Sequence, residues 1–276
     1  MTYRDLCARL AEAGVPDPET DAQVLIGAAF GLSPAALLAR RGEDFSSPRL
    51  NTMVERRLRR EPLQYILGTW SFMGLDFAVS PDCLIPRADT ELLCEEALRS
   101  LPRGGYFADL CTGSGCIALS ILKLRGDCRA WAADLSPAAL EVARKNAEAL
   151  GVSDRVELAL HDVTKPLPGD GLFDLVVSNP PYVPTADTLA LAPELYHEPM
   201  LALDGGEDGM DVIRPLLLHV PARIRSGGKL LIEFGYQSGA LIGALAEEAK
   251  KAGRIAHYEI RRDLSGNDRM LVAVVA

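Results

Sequence analysis

Asp109-Leu110-Cys111-Thr112-Gly113-Ser114-Gly115 follows a short apolar run, Tyr106–Leu110, and precedes an amphipathic one, Ile117–Leu124. A strand that breaks at a glycine-rich corner and continues as a helix is the opening unit of an α/β fold. Glycines at such a corner permit a tight turn and close approach of a ligand to the backbone. The alternation then repeats. Arg129–Ala133 reads as strand, Pro137–Leu150 as helix and Val156–Leu160 as strand; Leu172–Ser178 and Gly228–Phe234 are further apolar strands. Ala256–Arg261 and Met270–Val275 suit two closing antiparallel strands. Short continuous apolar strands between amphipathic helices predict a mostly parallel seven-stranded sheet covered on both faces.

Upstream the pattern changes. Leu6, Leu10 and Ala13, then Val24, Leu25 and Ala28, recur at helical spacing. Breaks fall at Gly14–Pro18, Gly31–Pro34 and Ser46–Pro48. Ser33 is the expected N-cap of a helix beginning at Pro34. Gly68–Val79, with Trp70, Phe72, Leu75, Phe77 and Val79 partly alternating around Gly74, reads as a β-hairpin. Helix resumes after Pro86, with Asp89 or Thr90 as its cap. The expected organisation is a small helical bundle over 1–67, a β-hairpin linker over 68–82 and an α/β domain over 83–276.

Net charge is −9, from 29 Lys and Arg against 38 Asp and Glu. Residues 1–75 carry nine Arg, no Lys and nine acids, so the remaining chain carries the whole excess of acid. An acidic catalytic half argues against sequence-specific nucleic-acid binding by its own charge field. Arg56-Arg57 with Arg59-Arg60 is a local exception, expected to be a solvated helix face rather than a phosphate site. None of the six cysteines (Cys7, Cys83, Cys94, Cys111, Cys116, Cys128) forms a C-x-x-C pair or stands near a His at ligand spacing. Small buried or half-buried thiols are expected, and no metal. No apolar run approaches the ~20 residues that cross a bilayer, and the N-terminus lacks the layout of a signal peptide. A cytoplasmic protein with no membrane partner is expected.

The glycine-rich corner has the form D-x-x-x-G-x-G rather than G-x-G-x-x-G. The next strand ends at Asp134, nineteen residues after Gly115, where a carboxylate can accept from both hydroxyls of a ribose. Those two features would fit a dinucleotide as well. Asp109 shifts the balance, because a pyrophosphate needs a helix N-terminus free of nearby negative charge. S-adenosylmethionine has no phosphate and carries an ammonium and a sulfonium, which an acid favours. Asp162 after the third strand could meet an adenine amino group, with Val163 packing on the ring. Ser136 and Pro137 also read as a helix cap and first position, which is compatible with a ligand at Asp134 and Leu135.

Asn179-Pro180-Pro181-Tyr182 follows the strand that ends at Ser178. Neither proline has an N–H, and each forces the residue before it to be extended. Asn179 and Pro180 are therefore stretched at the carboxyl edge of the sheet, where open α/β sheets bind ligands. The Asn179 side-chain oxygen and the Pro180 carbonyl are then free to accept from outside. Two acceptors suit the two N–H bonds of a planar NH₂ group, whose delocalised lone pair makes it a poor nucleophile. Alignment and electrostatic support would carry the catalysis, and Tyr182 would offer a flat wall.

The chain resembles the HemK/PrmC family of peptide chain release factor glutamine N5-methyltransferases. The resemblance runs through Glu61-Pro62 with Gln64–Gly68, Phe72–Phe77, Leu84-Ile85-Pro86-Arg87-Ala88-Asp89-Thr90-Glu91 and the Asp109–Gly115 turn. It continues through Asn179–Tyr182, Glu198-Pro199 with Ala202–Gly206, and Asn267–Arg269. It implies a Rossmann-like class I S-adenosylmethionine-dependent methyltransferase domain with S-adenosylhomocysteine as product. It also implies a helical N-terminal domain that helps recognise a release factor in translation termination. The cofactor would lie at Asp109, Cys111, Thr112, Gly113, Ser114, Gly115, Asp134, Leu135, Asp162, Val163 and Asn179. The glutamine of a Gly-Gly-Gln loop would enter at Asn179, Pro180, Pro181 and Tyr182, with Asn179, Pro180 and Tyr182 as the catalytic set. The alternative is methylation of a nucleic-acid amino group, adenine N6 or guanine N2.

Three departures carry expectations. Cys111 replaces a usual Gly, so the backbone there should not need positive φ. Ala88 replaces a usual Pro, which should loosen its loop. An aromatic sometimes found near Leu84 is absent, so that loop would pack on the cofactor through aliphatic groups.

Overall fold

A computed structural model describes residues 1–276. The chain divides into two compact units: Met1–Thr69 with Ala192–His197, and Trp70–Leu191 with Glu198–Ala276.

The first unit holds α1 (Tyr3–Glu12), α2 (Pro18–Phe30), α3 (Pro34–Ala39), α4 (Pro48–Leu58) and α5 (Leu63–Leu67). A side-chain oxygen followed by proline starts three of them. Asp17, Ser33 and Ser47 each accept the N–H three residues on, with Pro18, Pro34 and Pro48 at the first helical position. Leu6, Leu10, Leu25, Ile26, Phe45 and Leu50 close the bundle's core. The arginine cluster departs from the solvated face expected of it. Arg57 is buried and paired with Asp21 at 2.5 Å and Glu194 at 2.9 Å. Arg60 pairs with Glu194 at 2.7 Å and Arg56 pairs with Glu61. Only Arg59 of the four is exposed. Guanidiniums already engaged by internal carboxylates are not available to phosphate.

The hairpin follows, β1 (Thr69–Phe72) and β2 (Leu75–Ala78), and from Trp70 on it belongs to the second unit. Met73 and Gly74 both have positive φ (52° and 71°). That is the signature of the primed turn matching the twist of a two-residue hairpin. Phe72 and Phe77 are fully buried in this unit's core. Asn146 ties the backbone N–H and C=O of Ala78. Next come α6 (Thr90–Ser100), β3 (Tyr106–Leu110), α7 (Cys116–Leu124), β4 (Arg129–Asp134), α8 (Pro137–Leu150), β5 (Val156–Leu160) and β6 (Phe173–Ser178). α9 (Thr185–Thr188), α10 (Ile213–His219), β7 (Ile224–Glu233), α11 (Gly239–Lys251), β8 (Ile255–Arg262) and β9 (Asp268–Val275) complete it. Asp89 holds the N-cap position of α6 but makes no side-chain cap bond.

The sheet order is β5-β4-β3-β6-β7-β9-β8, with the first five strands parallel and β9 antiparallel to both its neighbours. Alternate residues feed two cores, as expected of a sheet covered on both faces. Ala108, Val176, Leu230 and Ile232 face one core, Phe107, Leu175, Val177 and Leu231 the other. The strand order reverses between β3 and β6, and ligands of such sheets bind at that switch point, beyond the carboxyl ends of the strands.

Candidate active site

The corner after β3 needs three left-handed residues: Cys111 (φ 60°), Gly113 (φ 55°) and Gly115 (φ 81°). Cys111 thus contradicts the expectation of ordinary φ. The chain must turn sharply to send α7 back along the sheet, and that geometry persists without a glycine, at a cost of roughly 1–2 kcal/mol. Hydrogen bonds from three directions hold it. Thr112 N–H donates to the Ala133 carbonyl at 3.0 Å, Ser178 Oγ to the Leu110 carbonyl at 2.8 Å and Gly113 N–H to Asp134 Oδ2 at 2.8 Å.

Asp109 lies beneath this turn and not on the cleft wall. It is fully buried, and its Oδ2 accepts Thr112 Oγ1 at 2.7 Å and the Ala118 N–H at 3.1 Å. Its Oδ1 has no partner. Burial pushes its carboxyl up to about 7. The acid expected to attract a cationic ligand directly therefore ties the turn to α7. Gly115 is also off the wall, packed so closely that a Cβ there would lie 2.8 Å from Leu119 Cδ1.

The cleft is lined by Cys111, Thr112, Gly113, Ser114, Asp134, Leu135, Asp162, Val163, Asn179 and Pro181, so most of the residues singled out in the sequence come together. Asp134 accepts Gly113 N–H on Oδ2 and Ser136 N–H on Oδ1 at 2.9 Å. A carboxylate has about four acceptor positions, so two remain. Burial raises its pKa above the usual carboxylate value. Asp162 Oδ1 accepts both the N–H (3.0 Å) and the hydroxyl (2.6 Å) of Thr164. The Thr164 hydroxyl, then its N–H, hold that carboxyl below its usual range. The turn-forming role and an open Oδ2 coexist.

At the other end, Asn179 Nδ2 donates to Thr90 Oγ1 at 3.1 Å. Neither Asn179 Oδ1 nor the Pro180 carbonyl accepts a hydrogen bond from the protein. Pro180 and Tyr182 are not part of the cleft wall. Tyr182 turns inward: a Cβ on Gly235 would lie 3.3 Å from its ring, and its hydroxyl donates to Glu233 Oε1 at 3.4 Å. The flat wall expected of it is therefore not where the structure puts its ring. The segment is buttressed from behind. Val183 N–H donates to the Leu203 carbonyl at 2.9 Å, and Gly205 N–H to the Val183 carbonyl at 2.8 Å. A Cβ on Gly205 would come within 2.7 Å of Tyr182 Cα, so only glycine fits.

Residues 2–68 match the model of the PrmC N-terminal domain, and residues 88–207 that of the methyltransferase small domain. The release factor glutamine methyltransferase of Rhodospirillum rubrum is 43% identical over 96% of this chain and 81% of its own length. That of Moorella thermoacetica is 43% identical over 96% of this chain and 94% of its own, and that of Deinococcus radiodurans 40% identical over 99% and 98%. The chain belongs to the release factor glutamine methyltransferase family. A solved methyltransferase from Pyrococcus furiosus shares the fold, with a TM-score of 0.54 and 21% identity over 74% of this chain and 90% of that one. Fold and family are those of S-adenosylmethionine-dependent methyltransferases.

The donor set of this family member suits that cofactor. Arg87 is the sole Lys or Arg on the cleft wall, and its guanidinium is paired with buried Glu198. No free cation is left for a phosphate, while Asp134 and Asp162 keep acceptors for hydroxyl and amino groups. Ile117, Val163 and Leu201 offer apolar surface to an aromatic base.

Several wall residues carried no local signal as site residues: Pro86, Arg87, Thr90, His161 and Leu201. The Leu84–Thr90 loop, with Ala88 in it, is tied at several points. Glu198 accepts the Ile85 N–H at 3.0 Å and pairs with Arg87. Glu91 N–H donates to the Ala88 carbonyl at 3.0 Å. Leu84 lines the cleft. Glu233 was also missed: it ends an apolar strand, where a single acid gives no pattern.

Proposed function

We propose that this chain transfers the methyl group of S-adenosylmethionine to the side-chain amide nitrogen (N5) of the glutamine in the Gly-Gly-Gln loop of a peptide chain release factor. The observation that carries the reading is the open pair of acceptors, Asn179 Oδ1 and the Pro180 carbonyl, beside a cleft with the donor set of an S-adenosylmethionine site. The full-length relatives are named for a glutamine of a protein, which favours the carboxamide over the amino group of a base.

In this reading Asp134 takes the ribose hydroxyls, Asp162 Oδ2 the adenine amino group, and Val163 and Leu135 pack on the ring system. The turn Cys111–Gly115 supplies backbone against the rest of the ligand, and Asp109 holds that turn. Bound S-adenosylmethionine supplies an electrophilic methyl group on a sulfonium sulfur; no metal takes part. Asn179 Oδ1 and the Pro180 carbonyl accept one N–H each from the substrate carboxamide. That fixes the NH₂ plane and supports the nitrogen as it loses conjugation. The substrate nitrogen would take the methyl carbon as its bond to sulfur breaks, and would lose one N–H proton to water. No strong base is needed before attack. The N-terminal unit would contribute to recognition of the release factor. No helix is long and apolar enough to cross a membrane, in keeping with work on the translation machinery in the cytoplasm.

The test is to offer the protein labelled S-adenosylmethionine with purified release factors, transfer RNA and duplex DNA in one mixture. Label in the release factor is expected. Label in either nucleic acid, lost steeply with rising salt, would overturn the reading.

A further inference from the structure

Two stretches that stand out in the sequence, Leu84–Glu91 and Glu198-Pro199, have no step in the proposed transfer, and one buried ion pair joins them. Glu198 is its hub. The residue is 5% exposed; its Oε2 accepts the Ile85 N–H at 3.0 Å, and its Oε1 pairs with the Arg87 guanidinium. Arg87 stands on the cleft wall and Glu198 does not.

Stability does not account for the pair. A buried ion pair replaced by apolar side chains often leaves a fold as stable or more so, whereas loss of one partner strands the other charge. What the pair does govern is the charge of the cleft. The wall carries three carboxylates, Asp82, Asp134 and Asp162, against the single guanidinium of Arg87. Arg87 belongs to the acceptor end. Its carbonyl accepts the Thr90 N–H at 3.1 Å, and Thr90 Oγ1 accepts from Asn179 Nδ2 at 3.1 Å. A methyl group aimed at a substrate held by Asn179 brings its sulfonium to that same end. An unscreened guanidinium there would repel it.

We propose that Glu198 is a specificity-determining residue for the cofactor: by cancelling the Arg87 charge it lets the acceptor end of the cleft take a sulfonium. The inference rests on the cofactor reading given above. S-adenosylmethionine and S-adenosylhomocysteine share the adenosine and the amino-acid part. They differ in one methyl group and in the positive charge on sulfur. A contact to the shared parts acts on both ligands alike, so the ratio of their affinities reports the sulfur end alone. Without Glu198 the cleft would favour the neutral product over the charged methyl donor.

The experiment is calorimetry of the full chain with S-adenosylmethionine and with S-adenosylhomocysteine, no methyl acceptor being present. Glu198→Gln keeps the side chain's volume and one acceptor oxygen for the Ile85 N–H, so it removes charge and little else. It should weaken S-adenosylmethionine about tenfold more than S-adenosylhomocysteine, the scale of one uncompensated charge in a partly screened cleft. Arg87→Met combined with Glu198→Gln removes both charges and should return the ratio to within about threefold of the wild type. Arg87→Met alone leaves the carboxylate and should shift the ratio toward S-adenosylmethionine; that variant judges the proposal if Glu198→Gln does not fold. A ratio unchanged in either single variant, or not restored in the double one, overturns the proposal. Binding of both ligands with an unchanged ratio strikes only the role of Glu198. A wild type that binds neither strikes the cofactor reading, and the proposal with it.

Discussion

The two ends of the cleft treat their polar groups in opposite ways. At the proposed cofactor end the carboxylates are tied before a ligand arrives, while Ser114 Oγ and His161 Nε2 on the wall have no partner. Asp134 holds two backbone N–H groups, Asp162 holds Thr164, and Asp109 holds Thr112 and Ala118. At the acceptor end Asn179 is tied once, through its NH₂, and two oxygens are left open. The first arrangement lowers the entropy lost on binding, because the side chains are already fixed. The second keeps acceptors in reserve for a group whose charge develops only during the transfer. Substitutions at one end should change affinity, and at the other, rate.

Asn179→Ala tests that division with the largest effect. Loss of one aligned group of this kind typically costs ~3–4 kcal/mol, so turnover should fall by about two to three orders of magnitude while the cofactor Kd stays within about tenfold. A matching loss in affinity would erase the contrast. Asp134→Ala should act in the opposite sense. Hydrogen bonds to a charged group contribute ~1.5–3 kcal/mol, so calorimetry should show binding weakened about 10- to 100-fold. Wild-type affinity would remove the ribose assignment.

Asp109 sharpens the comparison through pH. Its folded pKa, about 7, is raised from the 3.8 of an ordinary Asp. A carboxyl shifted upward stabilises the fold below its unfolded pKa, and that contribution is lost as pH rises through the folded one. Urea unfolding should therefore give lower stability at pH 8 than at pH 5. Asp109→Asn should remove about 1–2 kcal/mol of that difference, given 1.36 kcal/mol per pKa unit and a discount for relaxation. An undiminished difference would mean that other groups carry it. The smallest effect is expected of Cys111→Gly. Relief of the left-handed strain, offset by glycine's greater freedom when unfolded, should stabilise by up to about 1 kcal/mol. A destabilised variant would show that the thiol's packing outweighs the strain.

The sheet was legible because its strands are continuous apolar runs bounded by turn residues. Tyr106–Leu110, Val156–Leu160 and the helix Pro137–Leu150 stand where the pattern placed them. Cap chemistry was legible at Ser33 and Ser136, since it is settled within three residues. Groups whose meaning depends on distant partners were not. Arg57 and Arg60 read as a solvated face because Glu194 lies 137 and 134 residues away. Glu198, which fastens the Leu84–Arg87 loop, is 113 residues from Ile85. The left-handed φ of Cys111 was hidden for another reason: the turn's shape is imposed by β4, β6 and Asp134, and the residue type at that position follows no local rule. Tyr182 was placed at the wall by its chemistry, yet its hydroxyl finds Glu233 on a strand that sequence spacing does not bring near.

The most direct test of the acceptor assignment is the atom that receives the methyl group. After a short incubation with a release factor and S-adenosylmethionine, fragmentation mass spectrometry should place one added methyl on the side-chain nitrogen of the Gly-Gly-Gln glutamine. A methyl on any other residue, on a backbone nitrogen or on an oxygen would mean that Asn179 and Pro180 do not hold a carboxamide.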